Sequence, residues 1–454
     1  MSTWEEAIGE CLEHWEDRPH LVSGGGSPVR LLDASTLSAL LGRIDPADAQ
    51  VFEGQARVRG DQRRSLVFAF LHGGSIVLNR LDLHSAPVCR LCIALRPLVH
   101  HAFAVLYVTP RGDQSVGAHS DDQDVFILQL AGTKHWTVYG SPVRLPYTDE
   151  MVGKPGGPPV DPDIAASAPV LDTELRPGDV LYVPRGAVHE ARAAPGGASV
   201  HVTVTVQTSD LNWGAPTPLH VAPKAGFLGA CSSAHTSAFI SAGTLLMETF
   251  DAMHRGSEGM RRALPLRLPR AEVDDAGVAG NEGAVHDTWP ALEDPPGGLE
   301  AARSITADAD VAYGVAMRVL REKLARHNAR QDAALAELEA QEGRVGGAET
   351  CLPKRVRCAA GVAILSADDH SGRVRIIDES RGVLEMGLPP SLGKAVRALA
   401  EARMGAPVRT DALPASCDVE CAMLVHELLA QGVLEPCGKG CSDGHRSAEP
   451  RAQV

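Results

Sequence analysis

Long apolar runs are missing from this chain. No stretch approaches the ~20 consecutive apolar residues that cross a bilayer, so the sequence predicts no membrane helix. A secretory leader is not expected either. The opening MSTWEEAIGECLEHWEDRPH is acidic and amphipathic, without the basic start and apolar core of such leaders. This pattern predicts a soluble intracellular protein of the cytoplasm, or of the nucleus or nucleolus in a eukaryote. Basic charge is in deficit: 43 Lys and Arg against 57 Asp and Glu leave a net charge of −14. Phosphate recognition rests on clustered Lys and Arg, so nucleic acid is not the expected main partner, whereas a basic protein or peptide would be attracted. No internal repeat is present. Ten cysteines are scattered along the chain and are expected to be thiols in a reducing compartment. Cys89 and Cys92 suit one helix face. The pairs Cys417/Cys421 and Cys437/Cys441, with His445 nearby, give only a weak zinc signal.

What is present falls into blocks. Residues 1–55 read as helical, with a Gly-rich break at SGGGSP. Residues 56–215 carry short apolar runs between turns (SIVLNRL, FAVLYVTP, DVFILQL, HWTVYG, DVLYVP, SVHVTVTV). Strands at that density predict an all-β barrel or jelly roll. Residues 216–350 turn helical: AFISAGTLLMETFDAMHRG is one candidate helix. A long one is expected over 308–342, with Leu320, Leu324, Leu335 and Leu338 as its packing stripe. Residues 351–437 alternate short strands and two helices, as a winged-helix-like module would. Within that module, residues 387–435 carry a net of −2, from four basic against six acidic side chains, with no basic stripe. A protein-contact role is therefore expected there, not DNA binding. Residues 438–454 read as a disordered tail.

Chemistry concentrates in GAHSDDQDVFILQL. Alternate side chains of a strand share a face, so His119 and Asp121 would point the same way and could meet one cation. Ala131-Gly132 reads as a two-residue hairpin turn, which would pair Gln129 with Lys134 and aim Lys134 to the same face. An inward ammonium among Trp, Val and Tyr calls for an anion. A third ligand is offered by His189, delivered by the turns of LRPGDVLYVPRGAVHEA. In SVHVTVTV, His201, Thr203 and Thr205 share a polar face that either meets solvent or lines a barrel interior. Two His and one Asp on a β scaffold form the facial triad of non-haem Fe(II) oxygenases, which leaves three coordination positions open.

These motifs resemble the JmjC-type Fe(II)/2-oxoglutarate oxygenases, in their ribosomal oxygenase branch. The likeness runs from VLNRLDLHSAPVCRLC through LYVTPRGDQSVGAHSDDQDVFILQLAGTKHWTVY to ELRPGDVLYVPRGAVHEA and SVHVTVTVQTSDLNWG. It implies an α+β chain: a double-stranded β-helix (jelly-roll or cupin) JmjC domain, a helical dimerisation-type region that could form a homodimer, and a C-terminal winged-helix-like domain. It further implies His119, Asp121 and His189 as ligands of Fe(II), and Lys134 as the partner of the distal carboxylate of 2-oxoglutarate. Tyr107, His201 and Thr205 fall at positions lining the co-substrate pocket. The reaction implied is O2-dependent hydroxylation of a His or Arg side chain of a ribosomal protein. Histone methyl-lysine demethylation, hydroxylation of a small peptide or metabolite, and a non-catalytic cupin-like binding module are the alternatives. One position departs from the family pattern: Val105 stands where an asparagine is expected, two residues before Tyr107.

Overall fold

The computed structural model describes residues 3–24, 31–58, 65–154, 157–206, 309–345, 352–368, 373–402, 406–414 and 417–437. The helix read at AFISAGTLLMETFDAMHRG, most of the 216–350 region and the 438–454 tail lie outside them. The N-terminal part runs α1 (Trp4–Cys11), β1 (His20–Val22), α2 (Ala34–Arg43), β2 (Ala49–Glu53), β3 (Ala56–Val58), α3 (Leu66–Leu71), β4 (Ser75–Leu78) and α4 (Ala86–Ala94). Seven strands follow: β5 (Ala102–Thr109), β6 (Asp124–Ala131), β7 (Lys134–Val138), β8 (Leu171–Leu175), β9 (Val180–Val183), β10 (His189–Ala193) and β11 (Ser199–Val206).

These strands form two antiparallel sheets, one of eight strands in the order β1-β9-β6-β11-β5-β4-β2-β3 and one of three in the order β10-β7-β8. The expected cupin-like arrangement results. Alternation explains how each strand serves both faces. In β11 every residue is buried. Its valines Val200, Val202, Val204 and Val206 join the helix-covered core, while His201, Thr203 and Thr205 take the other face. The inner faces meet where Val125, Ile127, Leu181 and Val183 pack on Trp136, Val138 and Leu175. The polar face of β11 thus lines the interior and does not meet solvent.

The stretch FILQLAGTKHW is not a hairpin, contrary to its reading from the sequence. β6 pairs with β9 and β11, whereas β7 pairs with β10 and β8. The chain crosses from one sheet to the other at Ala131-Gly132. Gly132 has a φ of +63°, and a Cβ there would lie 2.0 Å from the Ala198 carbonyl oxygen, so only glycine makes this corner. The Gln129 amide donates to the carbonyls of Ala131 and Gly132 and to Ser199 Oγ at 2.8, 3.1 and 2.9 Å. Lys134 still points inward, because the inner faces of two opposed sheets look at each other.

The first 58 residues are helical in two stretches but also supply β1, β2 and β3 to the large sheet, so this segment is built into the barrel. A buried polar network fastens it. Arg185 Nη2 donates to Glu16 Oε1 at 3.1 Å, and the Glu16 N–H donates to Tyr182 Oη at 2.7 Å. The Tyr182 hydroxyl donates in turn to Asp124 Oδ1 at 2.6 Å. Arg185 opens the turn that leads to His189. Breaking a buried pair from one side leaves an uncompensated charge and costs about 3–5 kcal/mol. Arg185→Ala is therefore expected to lower the urea midpoint by that equivalent. A loss under about 1 kcal/mol, typical of exposed pairs, would show that this pair is no anchor.

A 37-residue helix, α5 (Ala309–Val345), lies against α4. Of the four leucines read as its stripe, Leu324, Leu335 and Leu338 are half-buried and the side chain of Leu320 lies outside those described, while the most buried described position is polar. Gln331 Nε2 donates to Asp82 Oδ2 and the Ala102 carbonyl at 2.9 and 2.7 Å. Cys89 and Cys92 are buried free thiols on α4. The C-terminal region holds β12 (Arg355–Cys358), β13 (Val362–Asp368), β14 (Arg373–Asp378), β15 (Gly382–Gly387), α6 (Gly393–Glu401), β16 (Val408–Arg409), α7 (Asp418–Ala430) and β17 (Leu434–Pro436). These make two three-stranded sheets, β16-β12-β17 and β13-β14-β15. The region shares the barrel's outer core, and Arg111 beside the barrel binds Glu420 of α7. Cys417 and Cys421 lie one turn apart at the start of α7, while Cys441 and His445 lie outside the described residues. Among the described residues no helix is long and apolar enough to cross a membrane.

Candidate active site

His119 and His189 are 70 positions apart in sequence and adjacent in space. Their backbones form an isolated antiparallel bridge, with His119 N–H donating to His189 O at 3.1 Å and the reverse bond at 2.8 Å. The two imidazoles project from it 4.4 Å apart. Nδ1 of His119 lies 2.8 Å from the Gly117 carbonyl oxygen, and Nδ1 of His189 lies 3.1 Å from that of Ala187. A carbonyl only accepts, so each Nδ1 carries the hydrogen and each Nε2 keeps a lone pair. Asp121 completes the group. Its Oδ2 lies 4.0 Å from His119 Nε2 and 3.5 Å from His189 Nε2, too far for hydrogen bonds. One donor atom from each residue lies within 4.8 Å of the others. Three donors turned to one point without bonding each other fit a divalent cation. Among the described residues no other group of His, Cys, Asp and Glu has this property.

The local charge suits that role. Burial pushes the His119 imidazole down to about 3, and His189 and Lys154 add to the effect. His189 is lowered chiefly by burial too. Both rings are therefore neutral at physiological pH. Burial alone would raise Asp121, but Lys154 and the two histidines outweigh it and hold the carboxyl well below the usual carboxylate range.

Deeper in the interior, Lys134 is 2% exposed. Its ammonium donates to Thr109 Oγ1 at 3.0 Å, and no carboxylate among the described residues pairs with it. Burial drives its pKa down to about 7. Buried polar atoms of three further inward side chains lack partners: Gln129 Oε1, Trp136 Nε1 and His201 Nδ1. Tyr107 stacks on His201 at 4.6 Å, nearly parallel. Trp136 lies 5.6 Å from His201 and 5.9 Å from His189. An ammonium without a carboxylate partner and unpartnered polar atoms on the inward faces of the sheets fit a small anionic ligand, because buried polar groups are otherwise satisfied.

The structure thus gathers His119, Asp121 and His189 into one group, and places Lys134, Tyr107 and His201 around the interior beside it. Thr205 is buried on the same face, but its strand partners are Phe103 and Val125, two steps from the Tyr107–His201 row. Val105 faces inward opposite Thr203. Two residues escaped the sequence reading. Trp136 looked like one more apolar residue, although its hydrophobic alternation with Lys134 places it inside. Lys154, whose Nζ lies 2.7 Å from Asp121 Oδ1, comes from a Gly- and Pro-rich loop and gave no periodic signal.

Comparison with known proteins agrees with this geometry. A family description, "JmjC domain", matches residues 82–212. Ribosomal oxygenase 2 of Mus musculus is 39% identical over 110 residues, 24% of this chain and 22% of its own length. The bifunctional lysine-specific demethylase and histidyl-hydroxylase NO66 of Aedes aegypti is 42% identical over 210 residues, 43% of this chain and 32% of its own. The chain thus spans about a third or less of the length of these curated relatives. The solved Escherichia coli ribosomal oxygenase YcfD aligns over 96% of this chain and 98% of its own, at 16% identity and a TM-score of 0.33. The three donors, the buried ammonium and strands β5 to β11 all lie inside residues 82–212, the segment that matches the JmjC domain description.

Proposed function

We propose that the chain is an Fe(II)- and 2-oxoglutarate-dependent protein hydroxylase whose target is a His or Arg side chain of a ribosomal protein. The observation that carries this reading is the pairing of an open three-donor group with a buried ammonium that has no carboxylate partner, both in the barrel interior. His119, Asp121 and His189 would hold the ion, leaving positions for co-substrate and O2. When bound, the ion supplies activation of O2 coupled to oxidative decarboxylation of 2-oxoglutarate.

The chain's own residues do the rest. Lys134, donating from the buried interior, would bind and orient the far carboxylate of the co-substrate, with Thr109 steering the ammonium. The unpartnered atoms of Gln129, Trp136 and His201 offer further polar contacts. Tyr107 stays protonated, because burial raises its hydroxyl, and stacks with His201 as a rigid wall. Thr205 extends that wall. Val105 leaves an apolar patch where the family carries an amide, so the target meets a less polar surface. The relatives' names, ribosomal oxygenase and histidyl-hydroxylase, support the substrate class. For the C-terminal region we read a winged-helix-like module that contacts protein; its mixed strands and helices and its lack of a basic stripe support this.

The test is turnover with iron, 2-oxoglutarate, O2 and peptides from ribosomal proteins. Succinate release together with a mass gain of one oxygen on a His or Arg peptide is expected. Loss of a methyl group from a histone peptide would replace the hydroxylase by a demethylase. No succinate under any condition would leave a binding module.

A further inference from the structure

Lys154 has no place in the reading above, yet it touches one of the three donors. Its Nζ lies 2.7 Å from Asp121 Oδ1, while Oδ2 of the same carboxylate faces the imidazoles of His189 and His119 at 3.5 and 4.0 Å. The carboxylate is thereby divided, one oxygen taken by the ammonium and the other left for the ion. An aspartate has three staggered χ1 wells and a broad χ2, so its oxygens can be aimed in many ways. A charge-assisted bond to one oxygen selects among them.

The loop that brings Lys154 is fastened to the donor segment itself. Ser120 N–H donates to the Val152 carbonyl at 3.0 Å, and Val152 N–H donates to Ser120 Oγ at 3.1 Å. Gly153 follows with φ +74°, and a Cβ on it would lie 2.2 Å from the Ala118 carbonyl oxygen and 2.9 Å from His119 Cα. Only a glycine lets this loop lie so close against the residues before Asp121. Gly153 N–H then donates to the Pro158 carbonyl and Gly157 N–H to that of Lys154, at 2.8 and 3.0 Å. The side chain of Lys154 is 30% exposed, so the residue is not a core element whose loss would unfold the barrel.

We propose that Lys154 is a positioning residue for the metal: it holds Asp121 in the one-oxygen orientation that the three-donor site requires. This rests on the proposed metal function and deepens it. Outer partners of metal ligands typically change affinity by about 10- to 100-fold when removed. An ammonium that merely capped an empty carboxylate would have to be displaced by the ion. The two predict opposite signs.

The experiment is Co(II) titration of the full chain by calorimetry and visible absorption, without co-substrate or turnover. Lys154→Met is expected to weaken Co(II) binding by about 10- to 100-fold and to alter the absorption bands of the bound ion. Lys154→Arg, which keeps a cationic donor, should restore most of the affinity. Unchanged or tighter binding by Lys154→Met overturns the positioning role while leaving the metal site standing. If the unmodified chain takes up no Co(II), the metal reading and the role of Lys154 fall together.

Discussion

Lys134→Met is expected to weaken co-substrate binding at least about thirtyfold and, at the same time, to make the protein more stable. The ammonium is buried with one hydroxyl as its hydrogen-bond partner, and burial lowers its pKa from 10.5 to about 7. In the absence of an anion it destabilises the fold. Replacing a buried charge with an apolar side chain of similar length removes that cost, so the thermal midpoint should rise by a few degrees. Function should move the other way. Removing one partner of a buried charge pair costs about 2–5 kcal/mol, which is roughly thirtyfold to several thousandfold in Kd for 2-oxoglutarate. Calorimetry and a melting curve on the same preparation test both halves. A variant that is less stable, or that still binds 2-oxoglutarate like the parent, would refute the anion-anchor role.

The same residue gives the pH dependence a definite sign. The unfolded lysine titrates near 10.5 and the folded one near 7, so between these values the unfolded chain binds more protons. Stability should then rise with pH across that window, and the rise should vanish in Lys134→Met. Binding of a dianion needs the protonated form. Affinity should be flat below about pH 7 and fall above it, with a proton taken up on binding.

Removing the side chain of any one donor should erase both turnover and the stabilisation that an ion brings. A ligand at about 100 times its Kd stabilises a folded protein by about 2.7 kcal/mol. The parent chain should therefore melt several degrees higher with Mn(II) or Co(II), and a chelator should reverse the gain. In Asp121→Ala and His189→Ala the melting curves with and without the ion should coincide. The His119–His189 bridge is made by backbone groups, so His→Ala leaves it intact and the variants should fold. A variant that keeps the ion-dependent shift would show that the cation binds elsewhere.

Much of this site is legible in the sequence. His119 and Asp121 do face one point, but not as strand neighbours: the strand read from residue 119 begins only at Asp124, and His119 sits in an isolated bridge before it. The strict alternation of Ser199–Val206 does mark a two-faced strand. Parity also survived an error. Lys134 was expected inside on the assumption of a hairpin that does not exist, and it is inside because opposed sheets share one interior. The hairpin failed for a reason with no local signature. Gly132 serves a crossing between sheets as readily as a turn within one, and what decides is its contact with Ala198, 66 residues on. Other features were illegible for the same reason. Nothing near Glu16 marks a partner at Arg185, and nothing near Lys154 marks Asp121. The short strand His20–Val22 has no periodicity at three residues, and joins the large sheet only because β9 presents an open edge.

The backbone bridge between His119 and His189 also sets an order of events. Two of the three donors stand at opposite ends of a loop of some 70 residues that contains β6, β7, β8 and β9. Until that loop has closed, a growing chain offers an ion only the short His119–Asp121 pair. Metallation must then come late, after residue 189 has left the ribosome and the strands between have found their sheets. A chain that misfolds in this span would emerge empty, and loading with iron would double as a check that the barrel was assembled correctly.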